Sequence, residues 1–198
     1  MKYLFIALAL MTTIHTMSQE IALPQPQKSG GMSLMEALAN RQSTREFNPD
    51  SNLSLQQLAD LFWAACGYNR EDKLTIPTAM NRQEISVYAI MPDGAYQYDA
   101  KNNKLVMVTD ADLRTLAGMQ EYSHKAFLNI AIVSDREKMP HDIFAGTDAG
   151  AVMQNIYLWC AANGVGTVTR GSFDGETLGK ALKLGEKQQI ILVQSVGY

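Results

Sequence analysis

Three side chains in one short segment could bind an anion. The segment "NRQSTREF" begins at Asn40 and contains Arg41, Ser43 and Arg45 at alternating positions. Two guanidinium groups and a hydroxyl suit a phosphate monoester, because arginine donates paired hydrogen bonds to its oxygens. The alternative is an ordinary helix end, since cations in a last turn interact favourably with the helix dipole. The segment alone leaves both interpretations open.

A second group of hydrogen-bonding side chains lies in "TIPTAMNRQ", just before a β-branched stretch. Asn81, Arg82 and Gln83 are adjacent there. A side-chain amide both donates and accepts hydrogen bonds, which suits the edge of a heterocyclic ring. Amides in polar loops also bond to their own backbone, so a purely structural loop is the alternative.

A third pattern is the glycine-rich segment "GVGTVTRGSFD". Gly171 follows a predicted strand, where a backbone N–H without a neighbouring side chain could approach a ligand closely. Turn formation, which glycine also favours, is the alternative. Each of the three segments, taken singly, is compatible with a structural role.

The chain lacks the motifs of other common catalytic sites. It contains no phosphate-binding glycine loop of either common type and no Gly-x-Ser-x-Gly elbow. His124 and His141 have no partner at metal-ligand spacing, so no metal site is expected. Cys66 and Cys160 lie in apolar helical patterns and are expected to be buried free thiols. A net charge of −3 argues against nucleic-acid binding.

Helix and strand patterns indicate which elements carry these segments. Capping boxes at Ser33 and Ser54 predict the starts of two helices, the second of which ends at Gly67. Interleaved helices and hairpin strands predict an α+β fold. The further predicted elements are a three-stranded meander within 84–109, a helix over 110–126 capped by Asp110 or Asp112, a buried strand over 127–135, a long apolar helix over 147–163, a strand from 166, a helix over 174–185 and a last strand over 188–198.

The first residues predict export. Residues 1–18 contain one early lysine, an apolar run and small residues two apart, which is typical of a secretory signal peptide. An N-terminal core helix is the alternative. Residues 19–32 are predicted to be a flexible linker, and 33–198 the globular domain. The protein is therefore expected to be periplasmic or secreted, without a membrane anchor.

Together the three segments resemble the FMN-dependent nitroreductase family. "RQSTREF" resembles its Arg-x-Ser-x-Arg motif, and "PTAMNRQ" resembles its Pro-Ser-Ala-x-Asn-x-Gln segment. The segment 148–174 resembles its central helix, glycine exit and ring-contacting loop. "LFWAACGYNR" and "PDGAYQYDAKNNKLVMV" are similar to the branch of SagB-type dehydrogenases. The resemblance covers about Ser33 to Tyr198; Gln42 and Thr78 depart from the usual arginine and serine.

The resemblance implies a three-layer α+β fold with a mostly antiparallel sheet, and a homodimer with the long helix at its interface. It implies that Arg41 and Ser43 hold the phosphate of FMN, while Arg45 lies near the N1–O2 edge of the ring. Asn81 would bond to the pyrimidine edge, and the Gly171 N–H would point at N5. The resemblance also implies that Gln83 is a cofactor-binding residue and that Arg82 contacts the cofactor.

The implied function is an FMN-dependent oxidoreductase in which the flavin, and no protein side chain, carries the chemistry. A ping-pong cycle would transfer electrons to or from a small, flat organic substrate, with NAD(P)H as a possible electron donor. An exported flavin-binding or interaction protein with the same fold but no turnover is the alternative.

Overall fold

A seven-stranded antiparallel sheet forms the centre of the molecule. The computed structural model describes residues 19–198, and the signal peptide predicted for residues 1–18 lies outside them. The order across the sheet is β1-β6-β5-β4-β7-β9-β8. The strands are β1 (Glu20–Ala22), β4 (Ile85–Met91), β5 (Gly94–Asp99), β6 (Lys104–Thr109), β7 (Leu128–Asp135), β8 (Gly166–Arg170) and β9 (Gln188–Gly197), and a separate hairpin joins β2 (Tyr68–Arg70) to β3 (Lys73–Leu74).

The predicted meander is confirmed, since β4, β5 and β6 are consecutive neighbours in the sheet. Hairpin turns connect them, with Met91 opposite Gly94 at the first turn. β7 is buried over nearly its whole length, as its apolar run predicts, because it lies between β4 and β9. The α+β class is therefore confirmed.

Helices cover both faces of the sheet, which confirms the three layers. One core joins the sheet to α2 (Leu55–Cys66) and α4 (Asp142–Asn163), against which α1 (Leu34–Asn40) also packs. The other core joins it to α5 (Gly175–Ala181). Cys66 and Cys160 are both buried and free, as expected.

Both predicted capping boxes begin their helices. The Ser33 hydroxyl accepts from the Glu36 N–H, and the Glu36 side chain accepts from the Ser33 N–H. Ser54 and Gln57 do the same for α2. The apolar face expected for α1 is only partly buried: Ala37 packs inward, but Leu34 is 64% exposed.

The long helix α4 begins five residues earlier than predicted, at Asp142 rather than 147. Its buried residues follow helical spacing, from Ala145 to Cys160, and face the sheet. It ends as predicted at Gly164, whose φ of 66° lies in the left-handed region that glycine adopts without strain.

The helix predicted over 110–126 is wrong for most of its length. Only α3 (Glu121–Lys125) is helical, and neither Asp110 nor Asp112 caps it. The Asp112 carboxylate instead accepts from the backbone N–H and guanidinium of Arg114. The helical spacing of Leu113 and Ala117 misled the prediction, because both pack on the sheet from a turn.

The linker expected over residues 19–32 is corrected in part by β1, which pairs with β6. Leu23 is buried, and the Gln27 N–H donates to the Asp60 carboxylate at 2.7 Å. Backbone pairing with β6 is a long-range contact that a polar, proline-containing sequence does not indicate. Within residues 19–198, no helix combines the length and apolar composition needed to cross a membrane.

Candidate functional site

Arg41 and Ser43 both contact Tyr157 of α4. α1 ends at Asn40, and the chain leaves it so that the Arg41 guanidinium lies 5.2 Å from the centre of the Tyr157 ring. The Ser43 and Tyr157 hydroxyls are hydrogen-bonded at 2.9 Å. A guanidinium over an aromatic face is attracted to it and held in a defined direction. Contacts with Tyr157 of α4 thus hold the first predicted segment in place.

Tyr157 also connects this segment to the end of β8. Its hydroxyl accepts a hydrogen bond from the Thr169 N–H at 3.1 Å. We call Arg41, Ser43, Tyr157 and Thr169 the arginine–serine cluster. Gly171 comes two residues after Thr169, so the structure brings Ser43 and Gly171 to the same region.

The sequence prediction missed Tyr157, which has no place in the three motifs. A signal was available: a tyrosine hydroxyl inside an otherwise apolar helix usually finds a hydrogen-bond partner when buried. Thr44 likewise has a structural role. Its backbone N–H donates to the Thr167 carbonyl at 2.9 Å, which aligns the segment with β8.

Around Gly171 the backbone is accessible and several polar atoms lack partners. A Cβ added at Gly171 would meet no heavy atom within 4 Å. The Thr169 hydroxyl and the Gln120 side-chain oxygen are buried without a hydrogen-bond partner among the described residues. The Gln120 amide nitrogen donates to the Ser172 hydroxyl at 2.6 Å. Buried polar atoms of this kind favour a polar ligand beside the end of β8.

The second predicted segment forms a separate group, which we call the amide cluster: Tyr68, Asp72, Asn81 and Gln83. The Gln83 amide donates to the Asp72 carbonyl at 2.7 Å and to the Asn81 side-chain oxygen at 3.1 Å. Its own oxygen accepts from the Tyr68 hydroxyl at 3.0 Å. All the polar atoms of Gln83 thus have partners inside the protein. Asn81 is held in place and retains most of its hydrogen-bonding capacity, since its donation to Asp72 is long, at 3.5 Å.

α4 separates the two clusters within one chain. The segment that leads into the amide cluster is held by Asp148, whose carboxylate accepts from the Ala79 N–H at 2.9 Å. Asp148 and Tyr157 are nine residues apart, which corresponds to about 13 Å along the axis and roughly half a turn around it. The structure therefore brings Arg41, Ser43 and Gly171 together but leaves Asn81 and Gln83 on the other flank of α4.

Two predicted arginines are exposed. Arg45 and Arg82 form no side-chain hydrogen bond or ion pair with any residue that the structure describes. A cavity of about 740 Å³ is lined by the amide cluster. A cavity of about 510 Å³ lies beside Gln42 and Thr44 and is lined by no member of the arginine–serine cluster. A further cavity, of about 840 Å³, is lined by none of the predicted site residues.

Glu84 is a buried acid at the junction of the amide cluster and β4. Both its carboxylate oxygens are buried without a hydrogen-bond partner in residues 19–198. Burial is the main cause that raises the pKa of Glu84, and with the neighbouring Asp148 carboxylate it brings the pKa to about 7, although a backbone hydrogen bond and Lys138 act to lower it. Near neutral pH this side chain therefore carries a proton much of the time.

The described side chains offer little to a metal ion. In residues 19–198, no three His, Cys, Asp or Glu side chains are grouped as ligands would be. Both thiols are unreactive at neutral pH, since burial raises the pKa of Cys66 to about 12 and raises that of Cys160 as well. The site is thus rich in hydrogen-bond donors and poor in catalytic side chains.

Comparison with known proteins identifies the family of this chain. Residues 38–198 match the nitroreductase family. A nitroreductase-like protein from Ralstonia eutropha JMP134 has a solved structure that is 37% identical, covers 90% of this chain and 88% of its own, and superposes with a TM-score of 0.83. A nitroreductase-like protein of Methanocaldococcus jannaschii is 26% identical over 91% of this chain and 96% of its own.

A more distant structure, from Desulfovibrio desulfuricans, was solved in complex with FMN. It is 22% identical, covers 85% of this chain and 87% of its own, and has a TM-score of 0.64. The fold and the family match define a nitroreductase-like class of protein. The chain belongs to the nitroreductase family. Its assignment to the SagB-type branch remains a prediction.

Proposed function

We propose that the protein is an FMN-dependent oxidoreductase whose cofactor lies along the arginine–serine cluster. The observation that carries this proposal is the connection Ser43–Tyr157–Thr169, which holds Ser43 near the open backbone at Gly171 and so supports a phosphate site at Arg41 and Ser43. The unpaired atoms of Thr169 and Gln120 fit a polar heterocycle there.

In this proposal each residue of the cluster has a defined task. Arg41 and Ser43 bind the phosphate, and the ring of Tyr157 keeps the Arg41 fork directed toward it. The Gly171 N–H would donate to N5 of the flavin ring, and exposed Arg45 would lie near the N1–O2 edge. Bound FMN supplies the redox chemistry by accepting and releasing a hydride equivalent.

We propose that a second copy of the chain completes the site. Asn81, on the opposite flank of α4 from Tyr157, would then reach the pyrimidine edge of a flavin held mainly by the partner. Exposed apolar side chains support such a homodimer, because large apolar groups at a surface mark interfaces. The described set includes Leu34, Met35, Met80, Met119, Ile143 and Phe144.

The substrate class that we propose rests on the chemistry of the cofactor. A redox step carried by an isoalloxazine ring suits flat acceptors such as quinones or nitroaromatic compounds, in a ping-pong cycle with one substrate at a time. NAD(P)H is the donor that we propose for reduction of the purified protein. The proposed export to the periplasm or beyond would require another donor, because nicotinamide cofactors are scarce there.

Absorbance and kinetics test the proposal directly. The purified protein, loaded with FMN and freed of excess by gel filtration, should be yellow with one flavin per chain and elute as a dimer. NADH or NADPH should bleach it, and a quinone should restore the colour. A colourless protein after FMN incubation contradicts the proposal. If dithionite is the only donor that reduces the bound flavin, the result would support the alternative of a flavin-binding protein without turnover.

A further inference from the structure

Arg170, the last residue of β8, is buried with its charge inside the protein. It is only 4% exposed. Its guanidinium donates to the Ser195 hydroxyl at 2.5 Å, and to the Ala117 carbonyl and the Asn129 side-chain oxygen at 2.9 Å each. These acceptors belong to β9, to the turn before α3 and to β7, so the guanidinium joins three elements.

All of these acceptors are neutral. No carboxylate among residues 19–198 forms an ion pair with Arg170, and its Nε has no hydrogen-bond partner. The Tyr122 ring is centred 5.8 Å from the guanidinium. Burial lowers the pKa of Arg170, because removal from water disfavours the cation.

A buried cation without a counter-ion is an unfavourable arrangement. Proteins normally pair such charges, and the surrounding low dielectric extends the reach of an unpaired one. A neutral hydrogen-bonding side chain such as glutamine could connect the same elements without the cost of burying a charge. The charge itself is therefore the feature that needs a function.

The position of Arg170 beside the proposed flavin site indicates a function for its charge. It directly precedes Gly171, whose N–H is proposed to face N5, and adjacent Cα atoms are about 3.8 Å apart. The turn above it is fixed as well: a Cβ added at Gly118 would lie 2.6 Å from Arg170 Nε. The Met119 N–H donates to the Ser172 carbonyl, so the turn and the segment after β8 form one unit around the guanidinium.

We propose that Arg170 is an electrostatic tuning residue that favours the reduced, anionic form of the bound flavin over the oxidised, neutral form. This inference rests on the proposed flavin site. Reduction adds two electrons and one proton to the neutral ring and leaves it with one negative charge above the pKa of reduced flavin N1. Arg170 neither gives nor takes a proton in that step, and it acts through its field and not through contact.

The test is the midpoint potential of the FMN-loaded protein, measured at pH 8 with dithionite as the two-electron reductant. Arg170→Gln keeps hydrogen-bond donors but removes the charge. We expect the affinity for reduced relative to oxidised flavin to fall about tenfold, which is a potential lower by about 30 mV for a two-electron couple. Arg170→Lys keeps the charge and should retain most of the wild-type potential.

Two further variants guard against misfolding and general charge effects. Asn129→Asp is nearly isosteric and places a carboxylate against the guanidinium, so it should lower the potential like Arg170→Gln. Arg136→Gln is the control. Val193 of β9 pairs with Arg170 on one side and with Ala131 of β7 on the other, so these three residues lie side by side across the sheet. Arg136 is five residues beyond Ala131, which places its backbone about 17 Å from that row along the strand direction. Arg136 is half-buried and forms an ion pair with Asp142, which offsets its charge. At that distance the field of the pair is weak, and the potential should not change.

The outcomes separate the two proposals. A lower potential in Arg170→Gln and Asn129→Asp, with Arg170→Lys near wild type, supports the inference. Equal potentials in all FMN-loaded variants overturn it and leave Arg170 as a structural tie, while the proposed function stands. Failure of the wild-type protein to bind FMN overturns the proposed function and this inference together.

Discussion

The arginine–serine cluster and the amide cluster differ in how completely their polar groups are paired. In the amide cluster, Gln83 has a protein partner for each of its polar atoms. Near the arginine–serine cluster, Thr169 and Gln120 each leave a buried oxygen unpaired. A motif residue can therefore position another residue, as Gln83 positions Asn81, without meeting a ligand itself.

The difference predicts two kinds of mutational effect. Substitutions in the arginine–serine cluster should weaken cofactor binding with little change in stability. Substitutions in the amide cluster should lower stability first and affect the cofactor through Asn81. The following variants test this contrast, in order of decreasing expected effect.

The double variant Arg41→Ala with Ser43→Ala should bind FMN at least about 100-fold more weakly, because charge-assisted hydrogen bonds contribute about 1.5–3 kcal/mol each. Stability should fall by about 1 kcal/mol, because the Ser43–Tyr157 hydrogen bond and the Arg41–Tyr157 ring contact are lost. Fluorescence titration with FMN and thermal unfolding of the apoprotein measure the two effects. The matched control is Arg136→Ala with Ser51→Ala. Full flavin occupancy in the first double variant would show that the phosphate lies elsewhere.

Gln83→Ala removes three hydrogen bonds and should destabilise the apoprotein by about 1–3 kcal/mol, or roughly 2–10 °C in Tm. Its FMN affinity should fall less than that of the double variant. Gln189→Ala is the control, since exposed Gln189 has one long side-chain contact, with Arg136 at 3.4 Å. A large loss of FMN at unchanged Tm would instead make Gln83 a direct cofactor contact.

Tyr157→Phe deletes the hydroxyl that joins Ser43 to Thr169. We expect a threefold to tenfold loss of FMN affinity, equivalent to about 0.6–1.4 kcal/mol, because the phosphate segment is no longer tied to β8. Tyr98→Phe is the control, since its hydroxyl reaches only Asn103, at 3.5 Å. Identical FMN affinities for the two variants would exclude a positioning role for the Tyr157 hydroxyl.

Glu84 makes the stability of the amide-cluster side depend on pH. Its folded pKa of about 7 exceeds the ordinary value of 4.5, so the folded state binds more protons and stability falls as pH rises between these values. Glu84→Gln should remove this slope and be more stable than wild type by about 2–4 °C at pH 8, roughly 1 kcal/mol, with the difference closing toward pH 5. Thermal unfolding from pH 5 to pH 8 measures it. Parallel curves for the two proteins would exclude Glu84 as the cause.

Local chemistry determined much of what the sequence predicted correctly. The capping boxes at Ser33 and Ser54 involve residues three apart, and Gly164 ends α4 by its own conformational freedom. The order of three motifs also pointed to the family. These features need no knowledge of distant partners.

Long-range contacts explain the rest. The turn at 113–120 has helical spacing but is held by Arg170, more than fifty positions away, through the Ala117 carbonyl. β1 exists because β6 pairs with it. The separation of Asn81 from Ser43 depends on which flank of α4 each segment contacts, and motif order carries no information about that.

Gly67 shows how one expected feature can have an unexpected cause. It ends α2 as predicted, but with an ordinary φ of −84°, so the left-handed region is not involved. A Cβ there would lie 2.4 Å from the Trp63 ring. Space, and not backbone freedom, requires glycine at this position.

The two buried thiols can be used to measure local opening of the helices α2 and α4. Cys66 ends α2 and Cys160 lies near the end of α4, and neither thiol is in contact with water to any useful extent. Only a thiolate reacts with an alkylating reagent, so labelling must follow transient opening of the surrounding helix. Mass spectrometry of each cysteine over time would therefore report how often α2 and α4 separate from the sheet, helix by helix, in the native protein.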